Sequence, residues 1–472
     1  MDNEHMTQPF QDVAAAAIGL DVSGLRRLGR SLRTVVSRRS VAHWSPSPSR
    51  IDPVDQLRAS GRDRLPAIAP IRLGRMAADP FAFLRGAAGI MAGDTGPGPR
   101  TGIGVQACGD AHLMNFGLFA TTERHLVFDL NDFDETHPGA WEWDLQRLSA
   151  SLVMAARVHG FGEDVAVDAA RSAVGAYRRR MDEMSEFSAL ERRYLSIDID
   201  SLLDTIRSTK GRVAKMSAVE KQVAKARSRD RFQALGRFTE MRNGRWAIIS
   251  NPPLIQPLKS DEFREDLLNL YDSYRLALPN HVVRLLDEYE FVDIALKVVG
   301  VGSVGTRAFM VLLAGRTDQD PLFLQIKEAS ASVLAPYAPG VHTRHHETSE
   351  SRRVVDGQRL MQAAGDMFLG WGEAGGRHFY VRQLRDMKGS VDLTTIHGVG
   401  LIRYGEFCGT ALAQAHARSQ HPALISGYLG RSERFDVAMA AFGAAYADQT
   451  ERDHQALATA IAAGTVQAIS GQ

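Results

Sequence analysis

The sequence predicts an α+β protein in which a mainly helical part and a strand-rich part come from separate stretches of chain. Three observations lead there. Apolar residues recur at helical spacing through residues 144–240 and again near the C-terminus, as in "LQRLSASLVMAARV" and "YGEFCGTALAQAHARS". β-Branched and alternating residues cluster instead in "FVDIALKVVGVGSVGTRAFMVLLAGRTDQDPLFLQIKEA". The length, 472 residues, suits two or three structural units.

Composition narrows the function classes. The chain is 44% hydrophobic and 24% charged, the balance of a globular protein with a sizeable core. Its 56 basic and 55 acidic side chains nearly cancel, so no global field draws it to nucleic acid or to an anionic membrane. Two cysteines, Cys108 and Cys408, cannot build a disulfide framework. No apolar run approaches the roughly 20 residues of a membrane span. The early "VAAAAIGL" is short and follows acidic residues, unlike a secretory signal. A cytoplasmic protein is expected.

Residues 1–50 read as a flexible basic extension. "LRRLGRSLRTVVSRRS" carries six arginines and runs into the Ser/Pro linker "SPSPSR". A solvated arm explains that composition without a specific anion site. Residues 51–160 hold the first polar motifs. Asp79-Pro80 is a helix start, with Asp as N-cap and Pro at the first helical position. "GIGVQACGD" and "RHLVFDLNDFD" read as strands that deliver polar loops. Residues 161–285 read as a mainly helical insertion, including the basic amphipathic "KGRVAKMSAVEKQVAKARSRDR", for which a solvated helix face is sufficient. Residues 286–395 form the β-rich part, with the helical "SESRRVVDGQRLMQAA" before strand-like "RHFYVRQL". Residues 396–472 return to helix.

"GVGSVG", Gly300 to Gly305, fits G-x-G-x-x-G. The pattern serves dinucleotide folds, where a helix follows the glycines, and kinase-like folds, where the glycines tip a hairpin over nucleotide phosphates. "TRAFMVLL" follows here and reads as a strand, which favours the hairpin. Gly300, Gly302, Ser303 and Gly305 are then phosphate-covering candidates. Such a hairpin needs a cation on the next strand, and "PLFLQIKEA" supplies Lys327. A lysine in apolar surroundings is costly without an anionic partner; a fraying strand end is the plainer explanation. Kinase-like sites position this lysine with a helix glutamate, and Glu347 and Glu350 both stay candidates.

In "CGDAHLMNFG" Asp110 and Asn115 lie five positions apart. That is the spacing of a phosphotransferase loop in which Asp accepts the substrate proton and Asn ligates a metal. Mg²⁺ takes one or two carboxylates plus phosphate oxygens, so Asn115 with one later Asp suffices. "NDFDETHPGAWEWD" offers the later carboxylates. Asp132 is preferred because "DFD" follows the apolar strand directly, and Asp129 is second. His112 is a candidate catalytic participant, although a histidine in such a loop more often serves as scaffold. A hydrolase metal site fits less well. His112, His125 and His137 lack i, i+4 spacing, and neither G-x-S-x-G nor H-E-x-x-H occurs.

"GDAHLMN … LVFDLNDFDETHPGAWEWDLQRL" resembles the catalytic segment of aminoglycoside-phosphotransferase-like and protein-kinase-like proteins. From about Ile51 onward the chain resembles an uncharacterised bacterial family, domain of unknown function 2252, through "CGDAHLMNFG", "NDFDE", "WEWDLQRL", "KVVGVGSVGTRAF" and "LQIKEA". The resemblance implies a two-lobed kinase-like fold and ATP with Mg²⁺ as cofactors. Three departures accompany it. The catalytic loop precedes the glycine loop, so the order is circularly permuted; the terminal helices must then lead back to the "GVQACGD" strand. Cys108 stands where such kinases commonly have histidine. Asp129, 14 beyond Asn115, and Asp132, 12 before Asp144, both match family spacing. Asp144 is expected to brace the loop from a helix start.

The expected function is an ATP- and Mg²⁺-dependent phosphotransferase acting on an unknown small-molecule or protein acceptor. Asp110 is the general base in this reading, Asn115 and Asp132 hold metal, and Lys327 contacts phosphate. Lys327 and Asp132 must then face one cleft. A nucleotide-binding pseudokinase is the alternative, and a nucleotidyl transferase on the same fold is a variant.

Overall fold

The computed structural model describes residues 3–201, 203, 221, 223–229, 231–258, 264–298, 300–317, 320–338, 349–384 and 387–469. Glu347 and most of the basic stretch from Lys210 lie outside them. The chain opens with helices α1 (Asn3–Ala17), α2 (Val22–Val35) and α3 (Arg38–Val41). Among the described residues of this stretch, α2 and α3 are docked, which corrects the expectation of a flexible extension. A Cβ at Gly29 would lie 2.0 Å from the Leu424 carbonyl oxygen, so only glycine lets α2 approach the helix at Pro422–Leu429 this closely. Arg33 donates to the carbonyls of Gly427 and Tyr428, and Arg38 donates to that of Leu429. These are end carbonyls that the partner helix cannot satisfy itself. The arginines cap a helix.

Helices α4 (Pro53–Ala59), α5 (Ala69–Met76), α6 (Pro80–Gly86) and α7 (Ala88–Thr95) follow. Asp79 caps α6 by accepting from Ala82 N at 2.7 Å, with Pro80 in the first turn, as its sequence predicts. Strand β1 (Gly104–Ala107) leads into the Asp110 loop. Strands β2 (Phe116–Ala120) and β3 (Leu126–Leu130) form an antiparallel pair, and β4 (His137–Ala140) pairs back to β1. Helix α8 (Trp141–Val158) is buried along nearly its whole length.

Helix α9 (Glu163–Met184) corrects the expected insertion, because it belongs to the main helical core. Its small residues allow this. A Cβ at Gly409 would lie 2.0 Å from the Ala173 carbonyl oxygen, and Ala166, Ala169, Ala170 and Ala173 are fully buried. After α10 (Ala189–Tyr194), β5 (Ile197–Asp198) pairs with β3. Helix α11 (Arg231–Phe238) and the hairpin β6 (Thr239–Arg242) and β7 (Arg245–Ile248) come next. Strand β8 (Ile255–Pro257) and helices α12 (Arg264–Leu276) and α13 (Asn280–Leu286) belong with the large sheet.

That sheet contains β8, β9 (Glu290–Lys297), β10 (Ala308–Ala314), β11 (Pro321–Glu328), β12 (Gly370–Ala374) and β13 (Arg377–Gln383). Its order is β12-β13-β11-β10-β9-β8, with antiparallel neighbours. Helix α14 (Glu350–Met361) comes between β11 and β12 in the chain. Register separates the two faces of the sheet. Val311, Leu322, Leu324 and Ile326 pack under α12 and α13. On the other face Met310, Leu312 and Phe323 meet Ala234 and Phe238 of α11, which leaves Gln325 and Lys327 toward the helical body.

Helices α15 (Gly398–Ala417), α16 (Pro422–Leu429) and α17 (Arg434–Ala462) complete the chain. The architecture is mixed α+β, with a helical core distinct from the core under the large sheet. Among the described residues no helix is long and apolar enough to cross a membrane.

Candidate functional site

Gly109 sits at φ +81°, and a Cβ there would lie 2.1 Å from the Glu135 carbonyl oxygen. Both conditions demand glycine, and both bring the Asp110 loop against the acidic loop. Asp144, one turn into α8, fixes the loop from below. Its carboxylate accepts from Cys108 N at 2.6 Å and Gly109 N at 2.9 Å. It also hydrogen-bonds His416 Nε2 at 3.0 Å, and His416 Nδ1 in turn meets the Tyr177 hydroxyl at 2.9 Å. Three buried groups thus converge on one buried carboxylate.

Arg147 lies one turn beyond Asp144 and donates Nε to Asp110 Oδ1 at 2.8 Å. Its Nη2 donates to the Leu84 carbonyl at 2.6 Å, which fixes the guanidinium. Burial pushes the Asp110 carboxyl up to about 7, against the opposing pull of Arg147. His112 Nε2 is 3.8 Å from Asp110 Oδ2, and among the described residues its buried Nδ1 has no hydrogen-bond partner. Burial, with Arg85 and Arg147 adding to it, lowers the His112 pKa well below its ordinary value, so the ring is neutral.

Asn115 donates its amide to the backbone carbonyls of Asp110 and Asp132, both at 3.0 Å. It therefore ties the two loops together, and among the described residues its side-chain oxygen accepts no hydrogen bond. In "DFD" the alternation sends Phe133 into the core and both flanking carboxylates to Lys327. Lys327 Nζ is 2.5 Å from Asp134 Oδ2 and 3.5 Å from Asp132 Oδ1. Those partners are 193 and 195 positions away in sequence. Burial alone would pull the Lys327 pKa down, but Asp132 and Asp134 outweigh it and keep the ammonium charged. Asp134 is opposed by burial in the same way, yet Lys327 and the Tyr380 hydroxyl hold it below the usual carboxylate range.

The glycine loop crosses above this cluster. Gly300 and Gly305 have φ +64° and +92°. Ser303 Oγ donates to Asp134 Oδ2 at 3.1 Å. The loop is gripped from outside by Arg75 on the Gly300 carbonyl, by Arg64 on the Val304 carbonyl, and by Leu65 N on the Gly305 carbonyl. A cavity of about 630 Å³ is lined by Gly300, Gly302, Ser303, Asp110, His112, Asn115, Asp132 and Asp134 among others.

Gly305 and Lys327 do not themselves line the cavity, and two further sequence candidates lie away from it. Asp129 pairs with Gly117 across β2 and β3, and its carboxylate accepts from Leu130 N and Ala363 N, away from the cavity. Arg418 stands 3.9 Å from it. Glu350 ion-pairs with Arg353 one turn along α14 at 2.5 Å, and among the described residues Lys327 takes its carboxylate contacts from the acidic loop. Arg353 then reaches the Asp134, Thr136 and Ser330 carbonyls, so α14 grips the acidic loop through an arginine.

Sequence reasoning passed over Arg147, Asp134, Arg382 and Lys388. An Asp and an Arg three apart, one turn, on a helix of apolar periodicity was the available signal for Arg147. Arg382 and Lys388 line the cavity without any motif, and burial with Arg382 nearby lowers Lys388 to about 7. Among the described residues no three His, Cys, Asp or Glu side chains converge as a preformed metal centre. Asn115 and Asp132 nevertheless fit Mg²⁺, which needs few protein ligands when phosphate oxygens share it.

A family model described as an uncharacterized protein conserved in bacteria (DUF2252) matches residues 64–460. No curated protein and no solved structure matches the chain.

Proposed function

The chain belongs to that bacterial family, whose description names no activity, and from the cleft itself we propose an ATP- and Mg²⁺-dependent phosphotransferase of the kinase-like class. One observation carries the reading. Lys327, from the sheet bearing the glycine loop, meets Asp132 and Asp134, and those two carboxylates line the same cavity as Asp110 and Asn115. Phosphate charge needs cations from both sides, and this arrangement supplies a lysine on one and metal ligands on the other.

The topology supports a permuted, two-lobed kinase-like fold. Strands β9, β10 and β11 run as successive hairpins, α14 intervenes, and the β12–β13 pair joins at β11. The chain reaches the end of α15 at the place where β1 begins. Ser419 Oγ accepts from Gln106 N at 2.8 Å, and Gln420 Nε2 donates to the Gly104 carbonyl at 3.1 Å. A chain broken between α15 and β1, and rejoined elsewhere, accounts for the inverted motif order.

In this mechanism Asp110 takes the proton of an acceptor hydroxyl. The acceptor oxygen bonds to the γ-phosphorus as the bond to the β–γ bridging oxygen breaks, and ADP leaves with that oxygen. Arg147 orients Asp110, and neutral His112 fixes the loop beside it. Asn115 and Asp132 would hold Mg²⁺, which would offset phosphate charge. Lys327 exchanges part of its contact with Asp134 for phosphate, under the amides of Gly300, Gly302, Ser303 and Gly305.

A pseudokinase is the second reading, favoured by the packing of Phe238 on Met310, Leu312 and Phe323. That contact covers part of the sheet face beside Lys327. A nucleotidyl transferase would use the same residues with the nucleotide reversed, and its product would carry AMP. Lys327→Met tests nucleotide binding directly. Asp134 keeps Tyr380 and Ser303 as partners, which limits the loss of stability. Mg-ATP is expected to raise the melting temperature of wild type and to raise that of the variant much less. Equal ligand-induced stabilisation in both would remove the phosphate role of Lys327.

A further inference from the structure

Beside the cavity lies a second space, an arm of about 360 Å³. Arg85, Met114 and Arg229 line both, so the two adjoin there. Lys225 stands exposed in the arm's wall, and His159 joins the lining. The arm's carboxylate, Asp392, is turned to its own loop, accepting from Thr394 N at 3.1 Å and Thr394 Oγ1 at 2.6 Å. Arg85, Lys225 and Arg229 against this one carboxylate, which Lys225 and His159 also face, leave the arm net cationic, although the chain as a whole is nearly neutral.

Arg85 is the residue at the junction. Its Nε is buried without a hydrogen-bond partner, and among the described residues no carboxylate lies within ion-pairing distance of it. The side chain as a whole is partly exposed, 6.0 Å from the Phe81 ring, and burial outweighs the pull of Asp110 and Asp79 on it, so an arriving anion offsets a remaining cost. Its position next to Asp110 and His112 is where an acceptor must place its reacting hydroxyl. Arginine presents a planar fork that suits phosphate and carboxylate alike. We propose that the acceptor is a small hydroxylated molecule bearing a phosphate or carboxylate, held by Arg85 in this arm with its hydroxyl at Asp110. This rests on the phosphotransferase reading and names its substrate class.

The test uses the full chain saturated with Mg²⁺ and a non-hydrolysable ATP analogue, which fills the nucleotide phosphate positions first. Glycerol 3-phosphate, glycerate and glycerol are then titrated and followed by ligand-observed NMR. At least one oxyanion is expected to bind where glycerol does not, and comparing the two separates a phosphate site from a carboxylate site. Arg85→Gln is expected to weaken that oxyanion roughly 10- to 100-fold, the worth of a charged hydrogen bond, while the analogue binds as before. Undiminished oxyanion binding in Arg85→Gln overturns the proposal, as does wild type that binds the analogue but no oxyanion. Failure of wild type to bind the analogue overturns the phosphotransferase reading and this proposal together. Should Arg85→Gln not fold, Lys225→Glu reverses charge at an exposed position and is expected to weaken the same probe several-fold; unchanged affinity there also overturns the proposal.

Discussion

Asp110→Asn is expected to lower phosphoryl transfer by about 10²–10⁴-fold, the usual share of general-base catalysis. The amide preserves side-chain size and a hydrogen bond to Arg147 but cannot take a proton. Nucleotide affinity should hardly change, because in the proposed mechanism Asp110 faces the acceptor and not the phosphates. The wild-type pH profile provides a second reading of the same residue. Burial places its carboxyl at about 7, and only the ionised form accepts a proton. The kcat/KM should therefore fall tenfold per unit below about 7 and level off above it, where an ordinary Asp would put that limb near 4. The Asn variant should lose the limb. A wild-type profile flat from pH 5 to 8 would contradict the raised carboxyl, and transfer undiminished in Asp110→Asn would remove Asp110 from the proton transfer.

Asp144→Ala should be among the most destabilising single changes in the chain. It strands the Cys108 and Gly109 amides and His416 Nε2, all buried around a carboxylate that is itself 1% exposed. Each stranded donor costs about 1–3 kcal/mol, so a loss on the order of 4 kcal/mol is expected. Asp144→Asn retains one acceptor oxygen and should lose clearly less. Urea unfolding midpoints measure both. A small and equal effect of the two would mean that the loop does not depend on Asp144.

The sheet was legible because its signals are local. Alternation in "TRAFMVLL" and "PLFLQIK" predicts β10 and β11, and their register carries Lys327 to the face opposite Ile326. The loop motifs were legible for the same reason, since Asp110 and Asn115 are tied through one tight turn. What failed depended on partners far along the chain. Composition gives the basic arm its charge, but only α16 some 390 positions later explains Arg33 and Arg38 as caps. The alanines of α9 predict a helix without saying that Gly409 would let another helix reach it. Glu350 illustrates a different limit. An arginine one turn away on the same helix took it, and that i, i+3 pair was readable in "ESRR". Which carboxylate meets Lys327 was not readable at all, because Asp132 and Asp134 differ only in how the loop folds above Asn115.

The central claim is that the glycine loop and the acidic loop share one nucleotide. A crystal structure of the full chain with Mg²⁺ and a non-hydrolysable ATP analogue tests it most directly. The account predicts phosphates under the Gly302 amide and within reach of Lys327, with a metal between them and the Asp132 carboxylate and Asn115 amide oxygen. An analogue bound elsewhere, with Lys327 still paired to Asp134 and no metal at Asp132, would contradict it.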